Sequence, residues 1–152
     1  AVTLFDQSAR LGRLPLGTGN KSERLLGYFT WHADDSPPIN PLGDLFKTQV
    51  WELARHLGVP EAIVEKPASA DLIRGIHDED ELGVSYPEAD PILNWLLSGY
   101  GPGELVGLGF RKEAVDAVWG RFNGTHWKRE LPTVAVLSGT AIGEFFLRPV
   151  DY

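Results

Sequence analysis

Neither cysteine nor methionine occurs anywhere in the 152 residues. Without cysteine there is no disulfide, no thiolate metal site and no thiol nucleophile. The chain is therefore compatible with a reducing cytoplasm, which is the expected location. With no methionine and Ala1 in first place, the sequence is expected to begin at a processed or truncated end. No apolar run approaches the ~18 residues that a membrane span needs. The opening AVTLFDQSARLG lacks a long apolar core and carries Asp6 and Arg10 early, so it does not read as a secretory signal. Positive charge is also scarce: 14 Lys and Arg face 21 Asp and Glu, a formal charge of −7. That balance argues against non-specific nucleic-acid binding, which works by neutralising phosphates. It leaves room for one small anionic ligand, because a few local cations and a helix N-terminus are enough for that.

What is present is ordinary globular composition, 43% hydrophobic and 23% charged, in a length suited to one domain or a piece of one. Seventeen glycines and eleven prolines punctuate it. A helix is expected over Val2 to Arg10, ending at Gly12, and a strand end at Leu14 to Leu16. Asn20 can cap a short helix to Leu26, with Glu23 three residues on as in a capping box. Residues 31–41 read as a loop. The clearest helix is Leu45 to Leu57, with Phe46, Val50, Leu53, Ala54 and Leu57 on one face, Asp44 as N-cap and Gly58 as terminator. A short helix follows at Pro60 to Glu65. Residues 66–86 have no sustained period, and their acidic run Asp78-Glu79-Asp80-Glu81 reads as a solvated loop segment. Helices are expected again at Pro91 to Leu97 and Arg111 to Phe122. Short strands are possible at Val134 to Leu137 and Phe145 to Leu147. The pattern is helix-rich with few strands, as in part of an α/β domain rather than a whole one.

Several general motifs fail. Asn20 stands where a Walker A loop needs glycine before Lys21-Ser22, and Ser22 stands where the third glycine of a dinucleotide fingerprint belongs. There is no GxSxG elbow, and the four histidines are scattered.

Five phrases in order remain: LGTGNKSERLLGYFT (16–30), INPLGDLFKTQVWELARHLGVPE (39–61), EKPASADL (65–72), DEDELGVSY (78–86) and HWKRELP (126–132). Together they resemble the C-terminal half of the NAD synthetases, ligases of the ATP-pyrophosphatase type. The resemblance implies the helix-rich C-terminal half of a Rossmann-like adenine-nucleotide alpha-hydrolase fold, with residues 1–152 lying within a single domain. It implies amidation of deamido-NAD through an acyl-adenylate, with ATP and Mg²⁺ required and ammonia displacing AMP. It also implies a homodimer and either free ammonia or a glutaminase domain as nitrogen source.

Carried over by this resemblance, Thr18 and Glu23 lie in the ATP site, and Glu23 binds Mg²⁺. Lys47 contacts the phosphate chain and Ser69 hydrogen-bonds phosphate. Asp34 lies near the ammonia and nicotinate end, and Lys47 and Asp34 are the catalytic candidates. Lys128 and Arg129 match a basic pair near deamido-NAD. Each has a plainer reading: Glu23 as a capping residue, Lys47 on a solvated helix face, Thr18, Asp34 and Ser69 as turn or loop residues. Residues 66–86 correspond to a loop that closes over bound nucleotide and excludes water.

The sequence departs from the family pattern in places. Ala33 replaces a usual glycine, which puts the local backbone in question because alanine accepts positive φ poorly. Ala68 replaces a common proline, and Ile76-His77 a polar pair. No SGG occurs, so the family's SGGxDS pyrophosphate loop is missing and this chain alone is expected to be inactive. Two other readings compete: a non-catalytic dimerisation fragment or paralogue, and a different ATP-pyrophosphatase ligase such as a GMP synthetase. The latter group lacks the combination of GTGNKSE with PLGDLFKTQV.

Overall fold

In the computed structural model the described residues are 1–70, 75–130, 135 and 137. The first helix, α1 (Val2–Leu11), ends as its sequence foretells, at Gly12 in the left-handed region with φ 60°. Its Asp6 and Arg10 pair across one turn at 2.9 Å. None of its residues is buried; Val2, Leu4 and Phe5 all face outward. Leu16 then forms a single parallel bridge to Ile39, which is all that remains of the strand expected there. The strands expected at 134–137 and 145–147 fall on a segment of which only Ala135 and Leu137 are described.

The capping box is present at α2 (Lys21–Leu25). Asn20 Oδ1 accepts from the Glu23 N–H at 2.9 Å, and Glu23 Oε2 accepts from the Asn20 N–H at 3.1 Å. The next helix, α3 (Lys47–His56), starts later than its periodicity suggests. Asp44 is not its cap: that side chain is 97% exposed and pairs with Lys21 Nζ at 2.6 Å. The cap position belongs to Phe46, which is drawn into the core, while the Leu45 carbonyl accepts from Lys21 N at 2.8 Å. These two ties hold residues 44–45 in a turn against α2. The predicted apolar stripe of α3 is only half covered, and Leu57 is exposed. A short α4 (Glu61–Val64) follows Pro60.

Between residues 66 and 97 the structure departs twice from the expected elements. The acidic run is not a loop but a helix, α5 (Asp78–Leu82), closed by Gly83 at φ 71°. The helix after it, α6 (Tyr86–Leu97), begins five residues before the expected Pro91. Pro87 lies in its first turn, where a missing N–H costs nothing. Pro91 lies inside and leaves one carbonyl without its helical donor, a defect that tertiary packing overrides. Tyr86, Ala89, Ile92 and Leu93 are at most 1% exposed, and they anchor the core. They pack with Leu105 of α7 (Pro102–Gly107), with Val115 and Val118 of α8 (Lys112–Gly124), and with Leu26 and Phe46. Burial of such side chains contributes about 1.5–3 kcal/mol each.

A 3₁₀ turn at His126–Arg129 closes back on the end of α2. Lys128 Nζ donates to the Gly27 and Phe29 carbonyls at 2.8 and 2.9 Å, and Arg129 donates to the Leu25 and Phe122 carbonyls at 2.9 and 2.6 Å. This contact requires a glycine. Gly27 has φ 64°, and a Cβ there would meet Thr125 Cβ at 2.2 Å. Gly27→Ala is therefore expected to destabilise the protein by about 2–4 kcal/mol, combining left-handed strain with overpacking. Urea denaturation of wild type and variant measures this, and a midpoint shift worth less than about 1 kcal/mol would show that the turn yields easily.

Candidate functional site

The capping box does more than start α2: it holds the Glu23 carboxylate with Oε1 free to reach sideways. There it meets Lys47 Nζ at 2.9 Å, across 24 residues of chain, with both side chains about four-fifths buried. The Lys47 ammonium also sits 5.4 Å from the centre of the Tyr86 ring, a cation–π distance. Tyr86 is wholly buried, and its hydroxyl donates to Asp78 Oδ2 at 3.1 Å. Glu23, Lys47, Tyr86 and Asp78 thus form one chain of alternating charge and aromatic surface.

What brings α2 and α3 together is a buried carboxylate from a third helix. Asp90 is 4% exposed. Its Oδ1 accepts from Ser22 Oγ at 2.5 Å, and its Oδ2 accepts from Thr48 N and Thr48 Oγ1 at 2.9 and 2.7 Å. Ser22 Oγ in turn accepts from Lys47 N at 2.8 Å. The first two N–H groups of α3 would be orphans behind an apolar Phe46 cap, and they are satisfied from α2 and α6 instead. A carboxylate at that helix start is also favoured by the macrodipole.

Burial raises the Asp78 carboxyl above the ordinary aspartate value, and the nearby Glu23 charge adds to the effect. The Tyr86 and Tyr28 hydroxyls and the Lys47 ammonium oppose it without cancelling it. Burial likewise raises the Tyr86 and Tyr28 phenols, helped by the neighbouring carboxylates. Both stay neutral hydrogen-bond donors, and the Tyr28 hydroxyl donates to Glu81. The acidic run is therefore only partly solvated: Asp80 faces water, whereas Asp78 is buried and Glu79 Oε1 accepts from Tyr86 N at 2.8 Å.

Glu23, Tyr28, Lys47, Asp78 and Glu81 line an open cleft of about 820 Å³. Of the residues singled out from sequence, Thr18, Glu23, Asp34, Lys47, Ser69 and Lys128 all border it, and Arg129 does not. Their present partners differ. Asp34 Oδ2 accepts from Thr30 N at 2.6 Å and closes a tight turn at the mouth. Ser69 Oγ donates to the Ile76 carbonyl at 3.0 Å, and Asp78 N donates to the Ala68 carbonyl at 2.9 Å. Lys128 and Arg129 hold backbone carbonyls, and burial lowers the Arg129 pKa. The strained residue near Asp34 is His32, at φ 61°, and Ala33 is not in the left-handed region. His32 is held there by its ring stacked 3.9 Å from Trp31, which meets Trp127 edge-on at 5.2 Å.

Ser22, Tyr86, Asp78 and Asp90 were not singled out from sequence. Asp90 reads as the residue before a proline-led helix, and nothing in the spacing of 22, 48 and 90 announces that they meet. Among the described residues no group of three or more His, Asp or Glu side chains is arranged around a common metal position. No described helix is long and apolar enough to cross a membrane.

Comparison with known proteins gives a consistent result. A family model described as NAD synthase matches residues 1–132. The chain is 46% identical over 152 residues to a protein of Trichlorobacter lovleyi named NH(3)-dependent NAD(+) synthetase, covering 99% of this chain and 56% of that protein. It is 42% identical over 139 residues to a protein of the same name from Wolinella succinogenes, covering 91% and 54%. Among solved structures it is similar to an NMN synthetase from Francisella tularensis, with TM-score 0.74, 33% identity, and coverage of 90% of this chain and 52% of that one. It is also similar to an NH3-dependent NAD synthetase from Campylobacter jejuni in complex with nitrate, with TM-score 0.68, 27% identity, and coverage of 89% and 51%. The chain spans about half the length of the curated relatives it matches.

The Asp78 environment has a consequence for stability. Its folded pKa lies above the 3.8 of the ordinary carboxyl, so the folded state holds the proton longer than the unfolded state. Stability from this group is fully present below 3.8 and is lost as pH rises through the raised folded value. Asp78→Asn is neutral throughout. It should gain on wild type in denaturant midpoint as pH is raised from about 4 to about 7. A wild-type-to-variant difference that does not change with pH would place Asp78 in a well-solvated setting.

Proposed function

This chain belongs to the NAD synthase family, and from that premise we propose that residues 1–152 form one wall of the ATP site of an ammonia-dependent ligase that amidates deamido-NAD to NAD. The observation that carries this reading is the Glu23–Lys47 pair, one carboxylate and one ammonium at 2.9 Å on the wall of a large cleft. The rest of the site, including the SGGxDS pyrophosphate loop, belongs on this proposal to polypeptide outside the 152 residues. The exposed apolar residues of α1 and the half-covered stripe of α3 suit faces that such polypeptide would cover.

The reaction joins two displacements. A nicotinate carboxylate oxygen attacks the α-phosphorus of ATP; the bond to the β-phosphate bridging oxygen breaks and pyrophosphate departs with the electron pair. The nitrogen of ammonia then attacks the acyl carbon, AMP leaves with its oxygen, and the nitrogen sheds a proton to a base. Charge accumulates on phosphate oxygens throughout, so preorganised cations and N–H groups do most of the work. Lys47 lies in the first turn of α3, where Ser22 and Asp90 hold the backbone N–H groups and the ammonium alone is left to meet the anion. Its partner Glu23 is freed when the ammonium turns to phosphate. Glu23 then offers a hard oxygen of the kind Mg²⁺ takes, one or two carboxylates beside phosphate oxygens and water being its usual set. When bound, that ion supplies positive charge across the phosphates. Thr18 stands on the cleft wall as a hydroxyl donor, Ser69 lies on the same wall with its hydroxyl donating to the Ile76 carbonyl, and Asp34 on the cleft lining suits the ammonia end. The partly buried Lys47 and Glu23 are each the other's counterion.

The full-length enzyme carrying this chain should form NAD and AMP from deamido-NAD, ATP-Mg²⁺ and ammonium. Nicotinate mononucleotide belongs in the same assay, because one structural relative is an NMN synthetase. Failure of both substrates would reject the activity and favour a non-catalytic scaffold. Glu23→Ala should lower Mg²⁺-dependent turnover by about 100-fold or more. Its stability should fall by about 1–3 kcal/mol, from the lost capping bond and the lost partner of Lys47, with the fold kept. Unchanged turnover would remove Glu23 from the metal role.

A further inference from the structure

The Asp90 carboxylate grips the neighbour of each member of the Glu23–Lys47 pair. Ser22 precedes Glu23 on α2, and Thr48 follows Lys47 on α3; both donate to Asp90, and Ser22 Oγ accepts from the Lys47 N–H itself. The two helices are otherwise joined at this point by the backbone bond from Lys21 N to the Leu45 carbonyl and the exposed Lys21–Asp44 pair. Both Asp90 oxygens are used, the residue is 4% exposed, and Ser22 is 0% exposed. Burial of Asp90 and Ser22 shields these bonds from solvent.

We propose that Asp90 is a positioning residue for the phosphate grip: it sets the separation and aim of Glu23 and Lys47 by holding Ser22 and Thr48 on its two oxygens. It touches no substrate and acts through the two residues that do. The inference rests on the reading of Glu23 and Lys47 as the metal- and phosphate-handling pair. An amide at position 90 can accept from Thr48 but must present NH₂ to Ser22, whose hydroxyl proton then has no acceptor. The α2 side of the grip loosens while the α3 side stays capped. Reacting groups moved by a fraction of an ångström lose rate steeply.

The test is steady-state kinetics of the full-length enzyme with Asp90→Asn. kcat/KM for ATP should fall by about 10–100-fold. The Mg²⁺ concentration for half-activation should rise, and KM for deamido-NAD should stay within about twofold. Ser22→Ala, which cuts that link and also removes the acceptor of the Lys47 N–H while leaving Thr48 capped, should show the same selective loss. It decides the matter if Asp90→Asn does not fold. A variant that melts earlier but keeps the wild-type KM for ATP and Mg²⁺ requirement would overturn the proposal and make Asp90 a stability residue only. Glu23→Ala separates the two failures: if it leaves Mg²⁺-dependent turnover intact, the reading of the pair is at fault. If it abolishes turnover while Asp90→Asn and Ser22→Ala leave ATP kinetics unchanged, the positioning role is at fault.

Discussion

One buried carboxylate with three donors sits at the centre of this structure. Helix α3 begins behind a phenylalanine, whose side chain cannot accept a hydrogen bond, so its first N–H groups must find acceptors elsewhere. They find Ser22 Oγ and Asp90 Oδ2. Burying an ionised carboxylate is costly unless its lone pairs are filled, and here the donors fill both oxygens. The requirement is mutual: the carboxylate needs the helix start and the helix start needs the carboxylate. Three helices that are far apart in sequence are thereby tied at one point, and the cleft wall inherits their geometry.

On that wall, charge is arranged to be exchanged rather than merely neutralised. Among the described cleft residues, the carboxylates Glu23, Asp34, Asp78 and Glu81 are matched in number by Lys47, Lys66, Arg121 and Lys128. A polyanion entering such a cleft gains from the cations and is repelled by the carboxylates, and a divalent cation reverses the second effect. On the proposed function the Glu23–Lys47 pair suits this, because each partner, once released, would meet a component of a metal–triphosphate complex.

Several elements are plain in the residues themselves. Gly12 after an amphipathic decapeptide, Asn20 with Glu23, and the stripe of Val115 and Val118 are local signals, and the helices they mark are there. The errors are equally specific. Asp44 has the chemistry of a cap, but a neighbouring aromatic is worth more in the core than a cap is worth at the surface, so the helix starts at Lys47. Asp78 to Glu81 carry too much charge to read as anything but solvated. Yet one side of that short helix turns toward Tyr86 and Tyr28, whose hydroxyls accommodate the buried carboxyl. Pro91 looks like a helix start because its ring forbids one interior bond; core packing of Tyr86 and Ala89 carries the helix through it.

By itself the order of residues determined the family and the helix-rich character, because short-range patterns and phrases survive being read along a line; six of the seven candidate residues it named border the cleft. Only the tertiary structure decided that Ser22, Thr48 and Asp90 meet, that Lys128 and Arg129 grip backbone carbonyls, and that Glu23 pairs with Lys47 on the cleft wall. Such pairings depend on which buried polar groups can satisfy one another once water is excluded, and that is settled by three-dimensional packing alone.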